Sequence, residues 1–246
     1  MASRLDAVAA VELLRAGDLE LVGRIIGSSN GALVVSATRT CPDPEPDEVA
    51  TAVYKPIRFE RPLVDFPDGT LAAREVAAFV LSEASGWGVA PPTVLRDGPV
   101  GPGMVQLWID VDDSVDRVAL ALEADARLRR MALFDVIANN ADRKIGHLLP
   151  VEGGHVFGVD HGLTFHEEPK LRTVLWGWRG QPLEPDELEA VERLRDALRG
   201  DTGDALRELL EAREVRATVR RAERLLRSRR FPLPDPDRPA IPWPPY

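Results

Sequence analysis

The segment 134–165, FDVIANNADRKIGHLLPVEGGHVFGVDHGLTF, constrains the fold more than any other part of the chain. An apolar run at helical spacing (Met131, Leu133, Phe134, Val136, Ile137) stops at Asn139-Asn140, residues that favour turns over helix interiors. A polar loop, Ala141 to His147, follows. Two short apolar stretches, Leu148 to Val151 and His155 to Val159, flank Glu152-Gly153-Gly154 and read as a hairpin. The second stretch runs into Asp160-His161-Gly162. Asp142 and Asp160 therefore leave two buried elements separated by a hairpin, which aims two carboxylates into one cleft.

The chain changes character near Asp110. Before it, Leu19 to Ile26, Ala32 to Ala37, Val49 to Tyr54, Val89 to Leu95 and Gly103 to Ile109 read as strands. Helices are expected over Leu5 to Ala16 and Leu71 to Ser85, the second capped by Pro67-Asp68-Gly69-Thr70. Beyond Asp110, Val115 to Ala138, Pro185 to Leu198, Gly203 to Leu210 and Val215 to Ser228 read as helices, with Arg/Glu pairs at helical spacing. This divides the chain into a sheet-rich part at 1–110, a helical part at 111–230 and a proline-rich tail at 231–246. The tail cannot continue a helix and runs extended.

A chain of 246 residues can bury a full core as one large domain or two lobes. Its net charge of −9 argues against general nucleic-acid binding, which needs a basic face. Cys41 is the single cysteine, so there is no disulfide framework or Cys-based metal site, and the cytosol fits best. No apolar run approaches the roughly 20 residues that span a bilayer, and integral membrane contact is not expected. Charges at Arg4, Asp6, Glu12 and Arg15 leave no signal-peptide core in the first turns of the chain.

The central segment resembles the catalytic segment of the protein-kinase-like superfold. Asp142 followed five positions later by His147 has the spacing of a kinase catalytic loop, with His147 in place of the usual metal-binding Asn; Asp160-His161-Gly162 stands where Asp-Phe-Gly would be. Asp-Arg after an apolar helix is similar to phosphoinositide 3-/4-kinases and other atypical kinases, and to a small actinobacterial-type family described as phosphatidylinositol 3-/4-kinase-like, of uncertain substrate. The resemblance implies an α+β, two-lobed fold with a small antiparallel sheet-rich N-lobe and a mainly helical C-lobe.

It also implies roles. Gly27 and Gly31 bound a turn between two strands, the shape of a loop that covers phosphates. Lys55 ends the third strand, where kinases keep the lysine that contacts nucleotide phosphates. With only three lysines in the chain (Lys55, Lys144, Lys170), a retained Lys suits a compact ammonium beside phosphates. Glu75, with Glu83 as rival, would pair with Lys55. Gln106, Leu107 and Trp108 would meet the adenine edge. Asp142 would orient the acceptor hydroxyl, Arg143 or Lys144 would offset charge on the transferred group, and Asp160 with His147 would hold Mg²⁺ or Mn²⁺ beside ATP.

That reading requires Lys55 to face Asp142 and Asp160 across a nucleotide-sized gap. The acceptor would be a protein, lipid or small molecule, and nucleotidyl transfer would use the same side chains. Two rivals stand beside it. One is a nucleotide-binding pseudokinase scaffold. The other is a metal-dependent hydrolase, because all four histidines (His147, His155, His161, His166) crowd around Asp142 and Asp160, although without helical metal-ligand spacing.

Overall fold

The computed structural model describes residues 6–25, 31–42 and 46–246, which divide into two compact units. The first comprises the chain up to Val76 together with Pro91–Ile109; the second comprises Ala77–Ala90 and Asp110–Tyr246.

In the first unit, β1 (Asp18–Arg24), β2 (Leu33–Arg39), β3 (Glu48–Pro56), β4 (Thr93–Gly98) and β5 (Gly101–Leu107) form an antiparallel sheet in the order β1-β2-β3-β5-β4. A shift of register between Leu21 and Gly23 marks a bulge in β1. Helix α1 (Ala7–Ala16) starts at Asp6, whose carboxylate accepts the Ala9 N–H. Its buried Leu13 and Leu14 join Val35, Ala37, Ala52, Tyr54, Val94 and Val105 in one core. The Arg96 guanidinium closes the other end of α1 by donating to the carbonyls of Leu14 (3.0 Å) and Gly17 (2.7 Å).

Helix α2 (Leu71–Ser85) has the bounds expected of it. Its cap differs: the Leu71 and Ala72 N–H groups donate to the Glu60 carboxylate at 3.1 and 2.8 Å, while Thr70 turns back to the Pro67 carbonyl. A full negative charge at the positive end of the helix dipole serves better than a hydroxyl. The helix passes from the first unit to the second at Val76/Ala77. Residues 77–90, expected with the sheet, cluster with the helices because Ala77, Ala78, Leu81, Trp87 and Val89 are buried in that core.

The second unit contains α3 (Arg117–Leu122), α4 (Arg129–Ala138), the hairpin β6 (Leu148–Pro150) and β7 (Val156–Gly158), then α5 (Pro185–Arg199), α6 (Asp201–Arg207) and α7 (Ala212–Ser228). The stretch 115–138 is not one helix. Asp125 accepts the Arg127 N–H, and Ala124 sits at φ 53, so the chain turns before restarting. Reciprocal Glu184/Glu187 and Glu211/Glu214 caps start α5 and α7. Leu133, Phe134 and Ile137 of α4 are fully buried among Leu128, Phe165, Leu194 and Leu206. This is an α+β arrangement: an antiparallel five-stranded sheet with helices in one unit and mainly helices in the other. No described helix is long and apolar enough to cross a membrane.

Candidate active site

Strand β3 and helix α2 bring the first pair together. Lys55 Nζ lies 2.6 Å from Glu75 Oε1, with the Glu75 side chain only 2 % exposed. Glu75 therefore fills the role for which Glu83 was the rival. Its neighbour Arg74, which a helix surface would leave in water, is buried over the Phe66 ring at 4.9 Å. Gly31 adopts φ +64, a conformation that suits glycine, while Gly27 lies outside the described residues.

Part of the expected adenine edge is engaged within the sheet. The Leu107 N–H donates to the Pro92 carbonyl (2.9 Å) and the Trp108 N–H to the Thr51 carbonyl (3.0 Å). Gln106 is buried, with its side-chain amide on Thr93 Oγ1 at 2.8 Å. The Leu107 and Trp108 N–H groups belong to the sheet and have no proton for a ligand.

In the second unit, α4 ends at Asn139, which takes the left-handed conformation (φ 56, ψ 50) and so turns the chain sharply. The following loop is built on a buried charge. Asp135 and Arg143 have no exposed side-chain surface; Arg143 Nη2 and Nε reach the two Asp135 carboxylate oxygens at 2.9 and 3.0 Å. Asn140 Nδ2 donates to the same carboxylate (3.0 Å), and Asn140 Oδ1 accepts the Asp142 N–H (3.0 Å). Arg143 also donates to the Val159 carbonyl (3.1 Å), and its Nη2 is 2.7 Å from His161 Nε2. One buried ion pair thus ties the Asp142 loop to the backbone entering Asp160. Arg143 is a scaffold residue and is not positioned to offset charge on a transferred group.

The loop presents Asp142 with Lys144 Nζ 3.2 Å from its Oδ2, both side chains 22 % exposed. Burial pushes the Asp142 carboxyl above the ordinary aspartate value; the Lys144 ammonium opposes this, Asp160 adds to it and Arg172 opposes it. Asp160 has φ +60, an uncommon conformation of the kind held at functional sites.

His147 Nε2 is 3.3 Å from Asp160 Oδ2, while His147 Nδ1 accepts the Lys144 N–H at 3.4 Å. The Nε2 edge of His147 thus faces Asp160, and the two expected metal ligands lie side by side.

The other histidines diverge. His155 Nε2 meets the Gly88 carbonyl at 2.8 Å, His161 is buried edge-on to Phe134, and His166 Nδ1 accepts the Glu168 N–H. Among the described residues no group of three or more His, Cys, Asp or Glu could hold a metal ion. A catalytic zinc needs three protein ligands, so the hydrolase reading loses its basis. One carboxylate suits a hard divalent ion whose remaining ligands are phosphate oxygens and water. Asp160 fits that chemistry for Mg²⁺ or Mn²⁺.

Sequence comparison agrees with part of this picture. The chain is 43 % identical over 269 aligned positions to Protein Rv2133c of Mycobacterium tuberculosis, covering 95 % of this chain and 94 % of that protein. The chain belongs to the Rv2133c family. A second relative, phosphatidylinositol 4-kinase gamma 4 of Oryza sativa subsp. japonica, is 27 % identical over 136 residues, covering 48 % of this chain and 24 % of that protein. The crystal structure of the Helicobacter pylori proinflammatory kinase CtkA superimposes with a TM-score of 0.47 at 12 % identity, covering 86 % of this chain and 98 % of that one. No family model matches.

Proposed function

We propose that this member of the Rv2133c family is an ATP-dependent phosphotransferase of the phosphoinositide 3-/4-kinase-like type. The Lys55–Glu75 ion pair at 2.6 Å carries the reading. A buried carboxylate that holds a strand lysine in place has the geometry needed to present one compact ammonium to nucleotide phosphates.

Each side chain then has one task. Glu75 fixes Lys55, which binds phosphate oxygens. Asp142 accepts the proton of the acceptor hydroxyl, or orients that hydroxyl; its raised pKa suits proton acceptance better than an ordinary aspartate would. Lys144, on Asp142, is placed to meet charge on the transferred group as the acceptor arrives. Asp160, with His147 beside it, would hold Mg²⁺ or Mn²⁺, which supplies charge neutralisation at the phosphates when bound. The carbonyls of Leu107 and Trp108, and not their N–H groups, would meet an adenine edge. The acceptor is a hydroxyl on a protein, lipid or small molecule.

The test is a turnover and thermal-shift panel with ATP and Mg²⁺, Mn²⁺ or Zn²⁺ on wild type, Lys55→Ala and Asp142→Ala. Metal-dependent ATP consumption by wild type, lost in both variants, is expected; equal turnover in all three proteins refutes the assignment. One observation favours a nucleotide-binding scaffold instead, namely that His147 occupies the Asn position and is engaged with Asp160. That reading predicts stabilisation by ATP without consumption.

A further inference from the structure

We propose that residues 240–245 are a positioning clamp for the loop bearing Asp142, Lys144 and His147; the catalytic half of this inference rests on the phosphotransferase reading above.

After α7 the chain turns at Arg229 (φ 53) and pairs with the 180–183 segment. The Gly180 N–H donates to the Phe231 carbonyl (3.2 Å), the Phe231 N–H to the Gln181 carbonyl (3.0 Å) and the Leu183 N–H to the Arg229 carbonyl (2.9 Å). Phe231 is buried beside Trp178. The tail thus leaves from a fixed point.

It then makes two attachments five residues apart. The Ala240 carbonyl accepts both the Thr173 N–H (3.0 Å) and the Trp176 indole N–H (2.8 Å). The Pro245 carbonyl accepts the Ile145 N–H at 2.9 Å, in the middle of the candidate catalytic loop. Beyond it, the Tyr246 hydroxyl accepts from Arg117 at 3.2 Å. The same loop is already joined to the 172–174 segment: the Arg143 N–H donates to the Arg172 carbonyl and the Val174 N–H to the Arg143 carbonyl, each at 3.1 Å. The tail therefore bridges the two strips of backbone that frame Asp142.

Its composition suits the task. Pro239, Pro242, Pro244 and Pro245 cannot donate from the backbone, so the strap offers carbonyls to donors on the loop. Fixed proline torsions also leave little chain freedom to lose on docking. Ile241 and Trp243 are exposed (50 % and 88 %) and only Pro242 between them is buried, so burial of large side chains is not what holds residues 240–245 down. The carbonyl hydrogen bonds must do much of it.

A matched pair of variants isolates one of these bonds. Ile145 is the first residue of a 3₁₀ turn, Ile145–His147, a position where proline is tolerated. Lys144 before it has φ −106 and ψ 165, the extended backbone that a following proline requires. Ile145→Pro thus deletes the donor to Pro245, whereas Ile145→Ala loses the side chain and keeps the donor. In the full chain, amides of Lys144, Gly146, Trp243 and Tyr246 should exchange with deuterium roughly tenfold faster in Ile145→Pro than in Ile145→Ala. With Mg²⁺-ATP, kcat should fall about tenfold in the proline variant alone while KM for ATP stays within about twofold, as misplacement of a catalytic loop requires.

Equal exchange in the two variants overturns the clamp. Faster exchange with equal kcat overturns its catalytic half. A wild type that consumes no ATP with Mg²⁺ or Mn²⁺ removes the phosphotransferase reading, and the exchange comparison then decides the clamp by itself. Should Ile145→Pro fail to fold, Trp176→Phe, which deletes the indole donor to Ala240 and keeps an aromatic ring, is read by the same measurements.

Discussion

Removing the carboxylate of Asp135 should be among the most damaging single changes in the second unit, even though Asp135 touches no reacting group in the proposed chemistry. Asp135→Leu leaves Arg143, with no exposed side-chain surface, without the two oxygens at 2.9 and 3.0 Å that balance its charge. It also strips Asn140 Nδ2 of its acceptor at 3.0 Å. Breaking a buried pair on one side costs about 3–5 kcal/mol, because the surviving charge stays buried and uncompensated. For a chain of this length that corresponds to a fall in Tm of roughly 6–20 °C. Replacing both partners with apolar groups, Asp135→Leu with Arg143→Met, removes the stranded charge and should recover part of that loss, although the Val159 carbonyl loses its donor. Urea unfolding of the wild type, both single variants and the double variant closes the cycle. If Asp135→Leu costs less than about 1 kcal/mol, or if the double variant is less stable than the sum of the singles, the buried-charge account fails.

Four further outcomes follow from the structure. The raised Asp142 pKa places the acid limb of kcat/KM above the ordinary aspartate value of 3.8. Lys144→Met, which removes the ammonium that opposes the rise, should move that limb further up, and a limb shifted down would refute the assignment of charge. For stability the sign is opposite to that of a salt-bridged aspartate: the fold disfavours ionised Asp142, so Asp142→Asn should gain on wild type as pH climbs from about 3 to 7 in denaturant titrations. Glu75→Gln should abolish the ATP-induced thermal shift to the same degree as Lys55→Met, since Lys55 then loses the carboxylate 2.6 Å away; an unchanged shift would separate the pair from nucleotide binding. Gly158→Ala would put a methyl group 2.9 Å from Arg143 Nη1, and because that guanidinium is pinned from several sides, urea unfolding should show a loss of about 1–3 kcal/mol.

Local signals made several elements legible. Helix α2 has its expected bounds because its apolar period is strong and Gly86, at φ +66, ends it. The β6–β7 hairpin is marked by Gly153 and Gly154, at φ +90 and +87. Lys55 and Glu75 could be paired because a rare lysine closes a strand and a glutamate sits near the start of the next helix. What stayed hidden depended on partners remote in sequence. Glu60 caps a helix that begins eleven residues later. Asp135 reads as the wet side of an amphipathic helix until the structure shows that α4 is buried nearly all round. The Leu107 and Trp108 amides look available until the sheet register assigns them to Pro92 and Thr51.

Arg143 shows why the distinction matters for function. Its position beside Asp142, in a polar loop rich in candidate acids and bases, invites a catalytic role. Burial decides otherwise, since a guanidinium with no exposed side-chain surface, held by Asp135, the Val159 carbonyl and His161, cannot reach a ligand without first breaking the loop. Its contribution is positional: the bonds that hold it fix the backbone on both sides, at Asp142 and at the approach to Asp160. Lys144, next in the chain and partly exposed, remains free of that scaffold and keeps its ammonium at the Asp142 carboxylate. Two adjacent cations are therefore divided between holding the loop and acting from it, and exposure, not residue type, separates the two tasks.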